Sequence, residues 1–117
     1  MALKTKTHLC DDVIILRCVG RLVAGSEIIT FRQRVEMLLS AKRKVVINLA
    51  QVDFIDSTGV ATLAYFLTQN RDPESGTRLV SSRSNLTELL RRTRLDTVIS
   101  VYANEEDAVA SFPKRRS

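Results

Sequence analysis

Apolar and polar residues follow two different periods along this chain, and the change between the two periods predicts alternating strands and helices. Short runs rich in β-branched residues mark the strands. The run at residues 45–49 is so continuously apolar that it predicts a central strand covered on both faces. Gly20 marks the end of the earlier run at residues 13–19. The predicted strands are residues 5–10 (a weak edge candidate), 13–19, 45–49, 77–81 and 98–102.

Between these runs, apolar residues recur at spacings of three and four, which is the period of one helical face. Residues that commonly cap helices precede each of these segments. The predicted helices are residues 26–40, capped by Ser26; a segment from the turn at Asp56 to about Asn70; a segment capped by Ser84 or Asn85; and residues 105–112, capped by Asn104 and followed by Pro113.

The order of these elements predicts how the sheet is connected. Strands separated by single helices require parallel pairing through right-handed crossovers, whereas the first two strands are close enough to form an antiparallel hairpin. The sequence therefore predicts an α/β fold, a small sandwich with a mixed, mostly parallel sheet of four to five strands and about four helices. We expect one domain over residues 1–113 and a basic tail at residues 114–117.

Composition and charge narrow the classes of function. The 117 residues include 18 Lys and Arg against 13 Asp and Glu, a net charge of +5, which suggests nucleic acid or an acidic protein as a partner. The basic residues gather in the tail, beside a strand and near a helix end, and the four Phe and two Tyr are not interleaved with them as in proteins that stack bases. We therefore expect no direct nucleic-acid partner.

Two further features concern location. No apolar run approaches the roughly 20 residues that span a bilayer, so no insertion into a membrane is expected. Residues 1–8 lack the apolar segment of a signal peptide, which predicts a cytoplasmic protein.

The residues that usually carry chemistry are few. His8 is the only histidine, and Cys10 and Cys18 are the only cysteines, without a CxxC spacing. This set supplies no convincing metal site and no Ser-His pair. No catalytic residue, metal or cofactor is therefore predicted, and the protein is not expected to be an enzyme. Cys18 alternates with Ile14 and Leu16 and is expected to be a free thiol in the core.

The turn Asp56-Ser57-Thr58-Gly59 is the strongest candidate for a site. It follows a strand at the edge where sites form in open parallel sheets, and a phosphate on Ser57 would be stabilised by the N–H groups at the start of the next helix. Gly59 would let a partner approach the backbone closely. Taken alone, the turn has a simpler explanation, because Asp, Ser and Thr are ordinary helix caps and no Walker loop or GxSxG elbow is present.

The surroundings of the turn are more specific than the turn itself. The apolar strand at residues 45–49, followed by VDFIDSTGV at residues 52–60, resembles the signature of the STAS domain family, which includes the bacterial anti-sigma factor antagonists. The resemblance extends over nearly the whole chain, from the early strand that ends in Gly20 to the closing helix, and it implies the STAS fold.

The resemblance also implies a function. In antagonists of this family, an anti-sigma factor that is also a serine kinase phosphorylates the serine directly after the Asp, which here is Ser57. Unphosphorylated antagonist binds the anti-sigma factor and frees the sigma factor; phosphorylation breaks that complex and a serine phosphatase restores it. Ser57 is the expected phosphoacceptor, and the expected partner-binding residues around it are Asp56, Thr58, Gly59, Val60, Arg21 and Val23.

The chain departs from the family at one point and leaves two other functions open. Many antagonists have Gly-Glu-Leu-Asp where this chain has Gly20-Arg21-Leu22-Val23, so both carboxylates are missing. A STAS scaffold that assembles with copies of itself would be a homo-oligomer. A STAS subunit of a transport complex would bind on the cytoplasmic side of a membrane.

Overall fold

The computed structural model of the chain describes residues 3–41, 44–69, 76–81, 88, 90–92, 94 and 101–113. The strands are β1 (Lys4–Cys10), β2 (Val13–Leu22), β3 (Lys44–Ile55), β4 (Gly76–Val80) and β5 (Val101–Tyr102). The helices are α1 (Ser26–Ser40), α2 (Ser57–Gln69) and α3 (Glu105–Ala110), and helical residues 88 and 90–92 belong to a further helix before β5.

The strands form one sheet in the order β1-β2-β3-β4-β5. β1 pairs antiparallel with β2, and the other pairings are parallel. The predicted α/β sandwich, with a mixed, mostly parallel sheet of five strands and four helices, is confirmed. Parallel pairing aligns the carboxyl ends of β2 and β3, which brings the segments after these two strands to the same edge of the sheet.

β2 and β3 extend further than the sequence predicts. β2 passes through Gly20 and ends at Leu22, while β3 continues to Ile55, so Asp53 lies exposed within the strand. The two extensions pair with each other, since Leu22 lies opposite Ile55, and this ladder satisfies backbone groups that a loop would leave to water. The prediction that Gly20 ends the strand was wrong, because this glycine, with a φ of +114°, shifts the register without ending the pairing.

The described helix ends agree with the prediction at Asn104 and at the end of α1, and they differ at two other points. Asn104 caps α3 as predicted, since its side chain accepts the N–H of Asp107 at 2.9 Å. Ser26 was the wrong cap for α1: Gly25 precedes the first turn, without a side-chain cap, and its φ of +143° favours glycine. α3 ends before residue 112, because Phe112 is buried against the sheet beyond the last turn.

Several predictions fall outside the described residues and stay predictions. They are the caps at Ser84 and Asn85, the end of α2 near Asn70, the first part of the last strand at residues 98–100, and the basic tail at residues 114–117.

The sheet has an apolar core on each face. On one face α1 and α2 pack against the strands, and the rings of Phe31 and Phe66 meet edge to face with centroids 6.5 Å apart. Cys18 lies in this core with 1% of its surface exposed, as predicted, and burial raises its pKa to about 12. On the other face α3 packs over a smaller core of Val13, Ile15, Val46, Val80, Ala108 and Phe112.

β2 shows how far α3 reaches along its face of the sheet. Successive residues of a strand point to opposite faces. On the α3 face Val13 and Ile15 are buried, whereas Arg17, Val19 and Arg21 are exposed. α3 therefore covers the half of this face at the beginning of β2 and leaves the half at its carboxyl end exposed.

Candidate functional site

Asp56 connects the end of β2 to the beginning of α2. Its Oδ1 accepts the N–H of Gly59 at 2.9 Å, which caps the first turn of α2. Its Oδ2 accepts the N–H of Ala24 at 2.9 Å, and the N–H of Asp56 donates to the carbonyl oxygen of Leu22 at 3.3 Å. Together these bonds hold the segment after β2 against the turn that begins α2.

The same hydrogen bonds determine the charge of the turn. The N–H groups of Ala24 and Gly59 stabilise the ionised carboxylate and lower the pKa of Asp56 below its ordinary value. Asp56 is therefore negatively charged at neutral pH, beside the positive end of α2. A second negative group placed on the turn would be repelled by this carboxylate.

Gly59 lies in close contact with the end of β2. It is buried, and a Cβ built on it would overlap the carbonyl oxygen of Leu22 and lie 2.8 Å from Cγ2 of Ile55. From the sequence we expected a partner to approach the backbone at Gly59. In the structure, the backbone of Leu22 makes this approach instead. The glycine lets α2 begin directly against the end of β2.

Ser57 and Thr58 form the exposed part of the turn. Both lie in the first turn of α2 and are exposed, whereas Val60, one turn further, is only 7% exposed. The Ser57 hydroxyl is therefore accessible at a helix N-terminus, where the helix dipole favours an anion.

Arg21 and Val23 lie at the same edge of the sheet as this turn. Arg21 lies opposite Phe54 in the ladder, and its guanidinium carbon is 5.2 Å from the centroid of the Phe54 ring, within the range of a cation–π contact. Val23 is half-buried and directly precedes Ala24, to which Asp56 is bound. The residues singled out in the sequence thus gather at one end of the sheet.

Phe54, half-exposed beside the turn, was missed in the sequence. A signal for it was present, because Phe54 and Ile55 are adjacent in a strand and adjacent residues point to opposite faces. Only one of them can join the core under α2, and Ile55 does so. Ala24 and Leu22 were also missed, because they contribute backbone atoms that no pattern of side chains identifies.

A separate cavity of about 710 Å³ lies on the α3 face, between β1, β2 and α3. Four of its charged groups form ion pairs: Arg17 donates to both carboxylate oxygens of Glu105 at 2.8 and 2.9 Å, and Lys44 lies 2.7 Å from Asp12. The hydrogen bond from Arg17 lowers the pKa of Glu105. His8 lines this cavity rather than the Asp56 turn, so it does not act as a base for Ser57.

The described residues contain no group of three or more His, Cys, Asp or Glu side chains that could hold a metal ion. Among the same residues, no helix has both the length and the apolar composition needed to cross a bilayer. What the turn offers is an accessible hydroxyl beside an ionised carboxylate.

Comparison with known proteins connects this geometry to one family. The sequence model of the STAS domain matches residues 4–108 of the chain. Among solved structures, an anti-sigma factor antagonist from Mycobacterium paratuberculosis has a TM-score of 0.81 at 20% sequence identity, over 95% of this chain and 94% of the other.

Three further solved structures share the fold. The anti-sigma factor antagonist SpoIIAA in its unphosphorylated form has a TM-score of 0.68 at 16% identity, over 93% of this chain and 96% of the other. Bacillus SpoIIAA in its phosphorylated form has a TM-score of 0.68 at 15% identity, over 92% and 97%. The murine anion transporter called solute carrier 26 family member A9 has a TM-score of 0.65 at 14% identity, over 93% of this chain and 22% of the transporter.

Proposed function

The chain belongs to the STAS domain family, and we propose that it is an anti-sigma factor antagonist that is switched off by phosphorylation of Ser57. Solved antagonists with the same fold, including SpoIIAA in phosphorylated and unphosphorylated forms, support this general role. The observation that carries the proposal is the exposure of Ser57 in the first turn of α2, directly after the ionised Asp56. A kinase can reach this hydroxyl without unfolding the helix.

In the unphosphorylated state, the exposed turn docks onto an anti-sigma factor that is itself a serine kinase, and the sigma factor is released. The turn presents Ser57 and Thr58 at the surface, with Arg21 beside them. Gly59 and Val60 are buried and act by holding α2 in place. The residues proposed to contact the partner are therefore Asp56, Thr58, Arg21 and Val23, and Gly59 and Val60 support them from within the fold.

A phosphate on Ser57 changes this surface by its charge. It adds about −1.5 to −2 charges next to Asp56, which its hydrogen bonds keep ionised. In a docked complex this dianion would lose its water beside a like charge, which is unfavourable. Phosphorylation therefore releases the partner, and a serine phosphatase restores binding. The proposal implies a cytoplasmic protein that acts by binding, without catalysis and without direct contact to nucleic acid.

Mapping the phosphate tests the assignment of Ser57. The serine-kinase anti-sigma factor is isolated from the source cells with the Ser57→Ala variant as bait, and wild-type protein is then incubated with this kinase and ATP. Mass spectrometry should find phosphate on Ser57 of the wild type and none on Ser57→Ala. Thr58→Ala is the matched control for the acceptor, because Thr58 is exposed in the same turn, and its phosphate should still be found on Ser57. Phosphate on Thr58 alone would refute the assignment.

Calorimetry with the same partner tests the switch. Ser57→Asp should bind at least about tenfold more weakly than wild type, whereas Ser57→Ala should stay within about twofold. Equal affinities would count against regulation by phosphate. A stable homo-oligomer that accepts no phosphate would instead favour a STAS scaffold, and stable binding to a membrane transporter would favour a transport subunit.

A further inference from the structure

The exposed half of the α3 face carries basic and apolar side chains next to the Ser57 turn. We call this surface the open sheet face and define it by its exposed residues Lys4, Lys6, Val19, Arg21, Gln51 and Phe54. Lys4 lies opposite Val19, and Lys6 lies opposite Arg17 in the antiparallel ladder, so these side chains share one face. Val19 is 47% and Phe54 50% exposed. The open sheet face thus combines exposed apolar groups with cations.

The cations of the open sheet face are not neutralised within the described part of the chain. No described carboxylate forms an ion pair with Lys4, Lys6 or Arg21. Arg17, beside them, differs because Glu105 binds it. The open sheet face therefore has a positive charge that complements an acidic surface.

Arg21 and Phe54 form the ordered centre of this surface. The guanidinium stacks on the ring at 5.2 Å, which orders both side chains before any partner arrives and so lowers the entropic cost of binding. A guanidinium in a cation–π contact still has N–H donors for a partner, and it can bind a carboxylate in a bidentate manner. Arg and aromatic residues are also among those that supply most of the binding energy at protein interfaces.

We propose that the open sheet face docks onto an acidic face of the anti-sigma factor, with Arg21 binding a carboxylate of the partner and Phe54 and Val19 entering an apolar recess. This inference rests on the function proposed above and adds a second contact region to the Ser57 turn. One partner can cover both regions, because Arg21 directly precedes Leu22, whose carbonyl binds the N–H of Asp56.

A protein partner fits this surface better than a membrane or nucleic acid. Affinity for those polyanions comes from many cations acting together. The open sheet face has few cations, and they lie around the apolar side chains of Val19 and Phe54 and the neutral amide of Gln51. An apolar centre with a charged rim is typical of a protein interface.

Paired variants test the open sheet face. The test variants are Arg21→Glu and Phe54→Ala. The matched controls, Arg34→Glu and Met37→Ala, make the same changes at exposed positions of α1, on the opposite face of the sheet. In calorimetry with the purified anti-sigma factor, each test variant should bind about tenfold or more weakly. The controls should stay within about twofold of wild type, since exposed side chains outside an interface contribute little.

Salt dependence and stability separate a lost contact from a damaged fold. Wild-type affinity should fall as salt rises, and the fall should be shallower for Arg21→Glu. Melting curves of all variants accompany the titrations. If Phe54→Ala unfolds, Arg21→Glu decides the question alone, because Arg21 is exposed and its described contact is with the Phe54 ring.

The outcomes distinguish this inference from the proposed function. If both test variants bind like wild type while Ser57→Asp does not, docking through the open sheet face is refuted and the switch by phosphorylation of Ser57 is supported. If the test variants lose binding while Ser57→Asp keeps it, the docking surface stands and the switch is overturned. If wild type binds no anti-sigma factor, both are overturned. A membrane is the other possible partner. If wild type binds phosphatidylserine vesicles and Arg21→Glu does not, while both bind the anti-sigma factor equally, the inference is refuted and the open sheet face binds a membrane.

Discussion

The carbonyl oxygen of Leu22 occupies the space in which Gly59 would otherwise carry a side chain. The end of β2 and the start of α2 are therefore packed together without an intervening side chain. Asp56 reinforces this contact by binding Ala24 and Gly59 with its two carboxylate oxygens. The segment that contains Arg21 and Val23 is thus held in a defined position beside Ser57.

Gly59→Ala should lower the free energy of unfolding by about 1–3 kcal/mol, because the added methyl group overlaps its neighbours. In an exposed helix interior the same change would instead stabilise the protein by about 1 kcal/mol, so the sign of the effect identifies the contact with Leu22. Urea unfolding measures it, with Thr58→Ala in the same turn as the control. An unchanged or increased stability of Gly59→Ala would contradict the packing described here.

Asp56→Ala should lower the melting temperature by several degrees at neutral pH, because the N–H groups of Ala24 and Gly59 lose their acceptor. The pKa of Asp56 is lowered in the folded state from an ordinary value of 3.8. Its contribution is therefore complete above that value and is lost as pH falls through the lower folded pKa.

The difference in melting temperature between Asp56→Ala and wild type should accordingly shrink in strong acid. Asp56→Asn is the matched control for charge. Its amide replaces one of the two accepting oxygens by an NH2 donor, so one N–H group loses its acceptor, and this variant should lie between the other two proteins. A difference that does not change with pH would show that the carboxylate charge plays no part.

Glu105→Gln should lower the free energy of unfolding by about 1 kcal/mol or less, because its partner Arg17 is half-exposed and solvent screens the ion pair. The pKa of Glu105 is lowered from its ordinary value of 4.5, first by the hydrogen bond from Arg17. The contribution is present above pH 4.5 and is lost as pH falls through the folded pKa. Chemical denaturation across this window measures it. Glu106→Gln, in the same turn of α3, is the control, and equal effects of the two changes would argue against a specific role of the pair.

The two cysteines should differ in reactivity. Cys18 is buried and its pKa is raised to about 12, so little thiolate is present or accessible in the folded protein. Cys10 is half-buried at the end of β1. Iodoacetamide at about pH 8 should therefore label Cys10 in the native protein and Cys18 only after unfolding, which peptide mass spectrometry can follow. Equal labelling of both thiols in the native protein would contradict the burial of Cys18.

Local sequence patterns were sufficient to predict those elements whose conformation depends mainly on their own residues. The helix at residues 26–40 and the cap at Asn104 follow from spacing and from one side chain. Residues 50–55 were not predicted as strand, because apolar and polar residues do not alternate regularly there. They are extended because they pair with β2. The cap at Gly25 was missed because a backbone conformation, rather than a side chain, begins α1.

The sequence by itself determined the order of the elements, the position of Ser57 after Asp56 at a helix start, and the net charge of +5. Only the tertiary structure decided that Asp56 binds Ala24 and that Arg21 stacks on Phe54. Ala24 and Asp56 are 32 residues apart in the chain. Their contact depends on how β2 and β3 align, and strand register is set by the packing of the whole sheet rather than by either segment alone.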